Sequence, residues 1–101
     1  PGESSAAVRE RVCRAREQAL ARQGCANALL DVAGLAPYCR LDKDAALLLA
    51  RASTSLGLSG RGMHRLLRVA RSIADLASSE RIGRSHIAEA IQFRRGLPHT
   101  S

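Results

Sequence analysis

Between Leu58 and Ala77 the chain reads Leu-Ser-Gly-Arg-Gly-Met-His-Arg-Leu-Leu-Arg-Val-Ala-Arg-Ser-Ile-Ala-Asp-Leu-Ala, and an α-helix sorts this stretch into two faces. At 3.6 residues per turn, Arg61, Arg65, Arg68 and Arg71 fall within roughly 120° of one another. Met63, Leu66, Leu67, Ala70, Ile73, Ala74 and Ala77 gather on the opposite side. One face is suited to burial; the other presents guanidinium groups, planar and always charged, which match phosphate. Arginine also decorates solvated helix faces and pairs with acids at i, i+4. Arg61, Arg65 and Arg68 have no acid at that spacing, and Asp75 is placed to meet Arg71 alone. The stripe is therefore expected to be under-neutralised and exposed.

The same logic extends along the chain. Ser4 or Ser5 caps a predicted helix over about 5–23, which Gly24 stops. Its apolar stripe, Val8, Val12, Ala15 and Ala19, is narrow, so this helix is expected to lie loosely along a larger body. Residues 24–41 read as irregular, interrupted by Gly34 and Pro37, with a single turn around 35–39. Asp42 caps a helix over about 43–56, with Ala45, Leu48, Leu49, Ala52 and Leu56 on one face and Gly57 at its end. Ser59 caps the arginine helix. Gly83 caps a last helix over about 84–95, with Ile87, Ala90 and Ile91 inward; Gly96 and Pro98 end it, and the tail is expected to be loose. No strand pattern and no repeat is present. Ala, Leu, Arg and Glu dominate, and all favour helix. The fold class is therefore all-α, a small helical bundle preceded by a long N-terminal helix, its short connections favouring antiparallel neighbours.

With 101 residues the chain suffices for one small domain. Sixteen basic and nine acidic residues give a net charge of +7, which favours a polyanionic partner: nucleic acid, a nucleotide or an acidic protein surface. One Phe, one Tyr and no Trp leave little support for base stacking. No run of about 18 apolar residues occurs, so no membrane partner is expected. Cys13, Cys25 and Cys39 are odd in number and widely spaced, without a Cys-x-x-Cys pair; His64, His86 and His99 do not sit at zinc-ligand spacing. Buried or inert thiols in a reducing cytoplasm, and no metal, are the expectation. There is no Gly-x-x-x-x-Gly-Lys-Ser/Thr loop, and Lys43 is the only lysine. His64, on the flank of the arginine face, reads as a solvated or hydrogen-bonded side chain. By itself the chain is expected to be catalytically inactive.

The segments Leu58-Ser-Gly-Arg-Gly62, Leu66-Leu-Arg-Val-Ala-Arg-Ser-Ile-Ala-Asp-Leu76, Glu80-Arg-Ile82 and His86-Ile-Ala-Glu-Ala-Ile-Gln-Phe-Arg94 together resemble the C-terminal domain of magnesium-chelatase-like AAA+ ATPases, in their competence-associated bacterial branch. The opening Glu3-Ser-Ser-Ala-Ala-Val-Arg-Glu-Arg-Val-Cys-Arg-Ala-Arg16 resembles the segment joining that family's ATPase core to its helical lid. The resemblance implies that residues 1–26 connect to an upstream core, 27–96 form the lid bundle and 97–101 a flexible tail. It implies that Arg61 is the sensor-2 arginine, a catalytic and ATP-binding residue, with Arg65 beside it in nucleotide binding. Arg68 and Arg71 match the pattern too, as residues that hold neighbouring domains or subunits together. ATP and Mg²⁺ would belong to the parent polypeptide, none being bound by this chain alone. The implied partners are the chain's own ATPase core, further copies in a homo-oligomeric ring, taken as a hexamer, and DNA, which that ring would remodel or branch-migrate. The competing reading is a free-standing basic helical module that binds DNA by its phosphates.

Overall fold

The computed structural model describes residues 4–96, which form five α-helices: α1 (Ser5–Gln23), α2 (Val32–Tyr38), α3 (Lys43–Leu56), α4 (Gly60–Leu76) and α5 (Arg84–Gly96). A 3₁₀ turn, Asn27–Leu29, precedes α2. The expected flexible tail at 97–101 lies outside the described residues. The helix boundaries follow from their caps. The side chains of Ser4, Asp31, Asp42 and Ser59 each accept from a backbone N–H three residues on, at Ala7, Gly34, Ala45 and Gly62. Gly24 and Gly57 take the left-handed conformation that ends α1 and α3, at φ 79° and 60°. At the start of α5, His86 Nδ1 accepts from Gly83 N at 2.8 Å, and the Gly83 carbonyl takes the first helical bonds.

α4 is the central helix. It packs against α5, α1, α2 and the 3₁₀ turn, while α3 packs against α5. The core is built from Leu30, Leu35, Cys39, Ala45, Leu49, Leu66, Ala70, Ala74, Ile82, Ile87 and Ala90. Alanines at the contacts let helix backbones approach closely. Ile82 and Ile87, fully buried, supply the bulk, each contributing about 1.5–3 kcal/mol by leaving water.

Three features differ from the sequence expectation. Residues 32–38 form a seven-residue helix, not a single turn; Asp31 caps it, and Pro37 falls in its last turn. The connections before α3 and α5 meet in an isolated parallel bridge between Leu41 and Ile82, with Ile82 N donating to Arg40 O at 2.8 Å and Asp42 N to Ile82 O at 3.0 Å. α3 and α5 therefore begin side by side. Finally, α4 ends in a turn with Ser78 at φ 55°; Ser79 N donates to Ala74 O and Ser78 N to Asp75 O. This is the six-to-one and five-to-two pattern usually built on glycine.

α1 is attached along its second half. Ala15 and Ala19 are buried there, whereas Val8 and Val12 remain 41% and 43% exposed. The loose attachment expected of the whole helix describes only its first half. The reason is polar, and lies in the site described next.

Candidate functional site

α4 carries all four arginines of the stripe, and the structure divides them. Arg61 and Arg65 are exposed in the first two turns, one above the other on the same face and about 6 Å apart along the axis. Neither makes a hydrogen bond or ion pair among the described residues. Ser59 Oγ satisfies Gly62 N–H, and the Gly60 and Arg61 amides have no carbonyl one turn back to pair with. Two guanidinium groups one turn apart, two unused amides and the positive end of the helix dipole thus share the N-terminal end of α4, an arrangement that fits an anionic oxygen cluster. A Cβ at Gly60 would meet nothing within 4 Å, so the approach is open. His64 sits half-buried on the flank.

The other two arginines turn inward, correcting the expectation of a fully exposed stripe. Arg68 is half-buried, and its Nε donates to Leu30 O at 2.8 Å. Arg71 is 1% exposed. Its Nη1 donates to Tyr38 O (3.2 Å) and Glu80 O (2.9 Å), its Nη2 to Ser79 O (2.6 Å), and Nη2 lies 3.0 Å from Asp75 Oδ1. Its Nε is buried without a partner. The guanidinium thus ties α4 to the end of α2 and to the turn before α5. It holds this chain's own elements together, not neighbouring domains. Burial pulls the Arg71 pKa below its ordinary value while Asp75 pulls it back up, and the group stays protonated.

Nor does Asp75 meet Arg71 alone. Arg22, in the last turn of α1, grips it with both ends of its fork: Nη1 to Oδ1 at 2.9 Å and Nη2 to Oδ2 at 3.1 Å. Asn27 Nδ2 donates to Asp75 Oδ2 at 2.8 Å and to Ser72 Oγ at 3.1 Å. Asn27 Oδ1 in turn accepts from Arg22 Nη2 and from Gln23 Nε2. Sequence reasoning missed Arg22 and Asn27. Arg22 looked like one basic residue among several on α1, and Asn27 lay in a stretch read as irregular. The available signal was a lone acid on a basic helix, a buried carboxylate in search of partners. The network floors a shallow groove between α1 and α4, walled by Val12, Ala15, Ala19, Ala28, Ser72 and Leu76.

The thiols meet the expectation of burial only in part. Cys39 is buried, Cys25 half-buried and Cys13 exposed on α1; all three are free. Burial pushes the Cys39 thiol up, against the pull of Arg71 and Arg22. Among the described residues no group of three His, Cys, Asp or Glu side chains is placed to hold a metal ion. No helix among them is long and apolar enough to cross a membrane.

Residues 2–94 match the family described as magnesium chelatase, subunit ChlI C-terminal. The chain belongs to this family. It is 46% identical over 94 residues to the uncharacterized protein YifB of Escherichia coli (strain K12), covering 93% of this chain and 19% of that protein. It is 43% identical over 93 residues to the competence protein ComM of Haemophilus influenzae, covering 92% and 18% respectively. The uncharacterized protein Rv2897c of Mycobacterium tuberculosis is 39% identical over 98 residues, covering 93% and 20%. The chain thus spans about a fifth of the length of these relatives. Membership in the ChlI C-terminal family, with an all-helical bundle, supports a lid domain of an AAA+ ATPase-like protein.

Proposed function

We propose that this domain is the helical lid of an AAA+ ATPase and that Arg61 is its sensor-2 arginine, with Arg65 as a second phosphate contact. The observation that carries this reading is the placement of Arg61: first turn of the central helix, exposed, and without a partner among the described residues. A guanidinium left free at a helix N-terminus suits the γ-phosphate of ATP, where negative charge develops during transfer. ATP and Mg²⁺ would be bound by an ATPase core elsewhere in the polypeptide. Lid and core together would close around the nucleotide, in a homo-oligomeric ring, a hexamer in this reading, working in the cytoplasm. The kinship with a competence protein supports DNA as the substrate of the ring's mechanical work. The net charge of +7 suits that partner through phosphate contacts and counterion release.

The test is Arg61→Ala in the full-length polypeptide. Steady-state ATP hydrolysis should fall about tenfold or more while the domain keeps its melting temperature. Arg65→Ala, one turn further from the helix end, should lose less. Near-normal turnover in Arg61→Ala alongside a strong loss in Arg65→Ala would show that the wrong arginine carries the role. Sequence-specific DNA binding by the 101-residue chain, surviving physiological salt, would favour the free-standing DNA-binding module instead.

A further inference from the structure

The two ion pairs on Asp75 differ in whether they can open. Removing Arg71 would strip donors from three backbone carbonyls at once. Arg22 is different, because each acceptor it uses on the buried Asp75 and Asn27 has a second donor; its Nε also donates to Gln23 Oε1 at 3.0 Å, on a side chain that is only half-buried. Asp75 Oδ1 keeps Arg71, Asp75 Oδ2 keeps Asn27, and Asn27 Oδ1 keeps Gln23. The Arg22 side chain is already 25% exposed and reaches water, whereas that of Asp75 is 2% exposed. When Arg22 leaves, no buried group is orphaned, so the usual penalty for breaking a buried pair is largely avoided. The apolar hold on α1 is thin: Ala15 and Ala19 are its buried side chains, while Val8, Val12 and Leu20 are exposed.

Asp75 also stands at the far end of the helix that carries Arg61. α4 runs unbroken from Gly60 to Leu76, so the two residues ride one rigid rod about 21 Å apart. A tilt of about 10° at the Asp75 end would carry Arg61 through roughly 4 Å, enough to make or break a phosphate contact.

We propose that the Arg22–Asp75 pair is a releasable latch between α1 and α4, and that Arg22 is a positioning residue which sets the angle of α4 and so the reach of Arg61. This deepens the lid reading and rests on it for the Arg61 end. With the latch closed, α1 and the bundle move as one body. With it open, α4 stays anchored in the bundle by Arg71 while α1 swings free of it. The latch thus makes the path from the chain's N-terminal helix to the arginine pair a two-state element, as coupling between distant sites requires.

The experiment uses the full-length polypeptide with Arg22→Ala, Arg22→Lys and Arg61→Ala, assayed well below their melting temperatures, together with hydrogen exchange. Arg22→Ala should lower kcat for ATP hydrolysis about two- to thirty-fold with KM for ATP near its unaltered value, because Arg22 touches no nucleotide. Arg22→Lys should recover part of the loss, keeping the charge but not the two-pronged grip. Amides of residues 15–23 should lose protection in Arg22→Ala while those of 66–75 keep theirs. Normal turnover in Arg22→Ala beside an impaired Arg61→Ala overturns the latch. Protection lost equally across 66–75 also overturns it, making Arg22 a packing residue of the bundle. Normal turnover in Arg61→Ala with an impaired Arg22→Ala sinks the sensor reading and overturns the claim that Arg22 acts through the reach of Arg61, leaving only the α1–α4 latch; normal turnover in both sinks both.

Discussion

The two ends of α4 put the same residue type to opposite uses. At the N-terminal end Arg61 and Arg65 stand exposed and unpaired among the described residues. At the C-terminal end Arg71 is buried and surrounded by acceptors. Spacing along the helix does not separate them; the supply of acceptors does. The chain turns back at Ser78 and delivers the carbonyls of Ser79 and Glu80 to one guanidinium, and α2 ends with Tyr38 O at the same point. Among the described residues no such carbonyls reach Arg61. One end is therefore a fixed joint and the other an open hand, and the stiffness of the first gives the second a defined position.

The sharpest way to break this comparison is Arg71→Ala. It leaves the carbonyls of Tyr38, Ser79 and Glu80 without their donor and removes one of the three side chains that grip Asp75. The expected loss is about 3–5 kcal/mol, or a fall in melting temperature of at least about 12 °C for a domain of this size. Arg71→Lys should recover little, since an ammonium cannot serve carbonyls on both sides of a planar fork. Urea denaturation of both variants reads this out. Stability within about 0.5 kcal/mol of the unaltered chain would mean the joint is held by apolar packing alone.

Much of the bundle was legible in the sequence because its helix ends are written in caps. Ser4 with Gly24 and Asp42 with Gly57 bound α1 and α3 where the structure puts them. The apolar spacing of Ala45, Leu49 and Ala52, and of Ile87 and Ala90, named residues that are buried. What was not legible depends on partners distant in the chain. Arg71 lies about 40° round the helix from Leu67, so its angle alone fits either face. Its burial is decided by carbonyls 8, 9 and 33 residues away. Arg22 and Asp75 are 53 residues apart. α2 escaped notice because Gly34 and Pro37 fall inside it, although its Asp31 cap was in view. A short loop over 78–82 was expected from the sequence, but its left-handed residue escaped because serine occupies the position where glycine would have announced it. Of the proposed site, the sequence indicated the exposed pair Arg61 and Arg65 but overextended it to four.

A smaller effect tests the turn that feeds the joint. Ser78 holds φ 55°, a left-handed conformation that costs an L-residue about 1 kcal/mol relative to glycine. Ser78→Gly should stabilise by up to about that amount, raising the melting temperature by a few degrees, about 4 °C or more if the gain is full. A fall would show that the serine side chain contributes something its backbone does not. pH gives a further probe of the same end, through Cys39. Burial raises the thiol pKa in the folded state above the 9.0 of an ordinary thiol. The neutral thiol is thus favoured by folding, and its contribution is fully present below about pH 9 and lost as pH rises through the folded value. The melting temperature should decline in alkali, and Cys39→Ala should decline less steeply from a lower starting point. Equal slopes would mean that Cys39 does not titrate with unfolding.

The smallest expected effect belongs to the open end, and it is the one that completes the comparison. Arg61→Ala and Arg65→Ala remove exposed side chains that pair with nothing among the described residues. No cavity is made and no acceptor is orphaned, so each change should move stability by no more than about 0.5 kcal/mol. The sign should favour the variants slightly at low salt. Two arginines one turn apart repel each other, and Arg61 sits against the positive end of the α4 dipole, where a cation is disfavoured. Salt should erase this gain, since exposed charges are screened within about 10 Å at 0.1 M ionic strength. Melting Arg61→Ala, Arg65→Ala and the unaltered chain at two salt concentrations decides it. A gain that vanishes with salt marks this pair as charge held in place against its own stability, which is what a site awaiting an anion costs. A clear loss of stability at either salt would instead place Arg61 or Arg65 among the bundle's structural arginines, and the difference between the two ends of α4 would disappear.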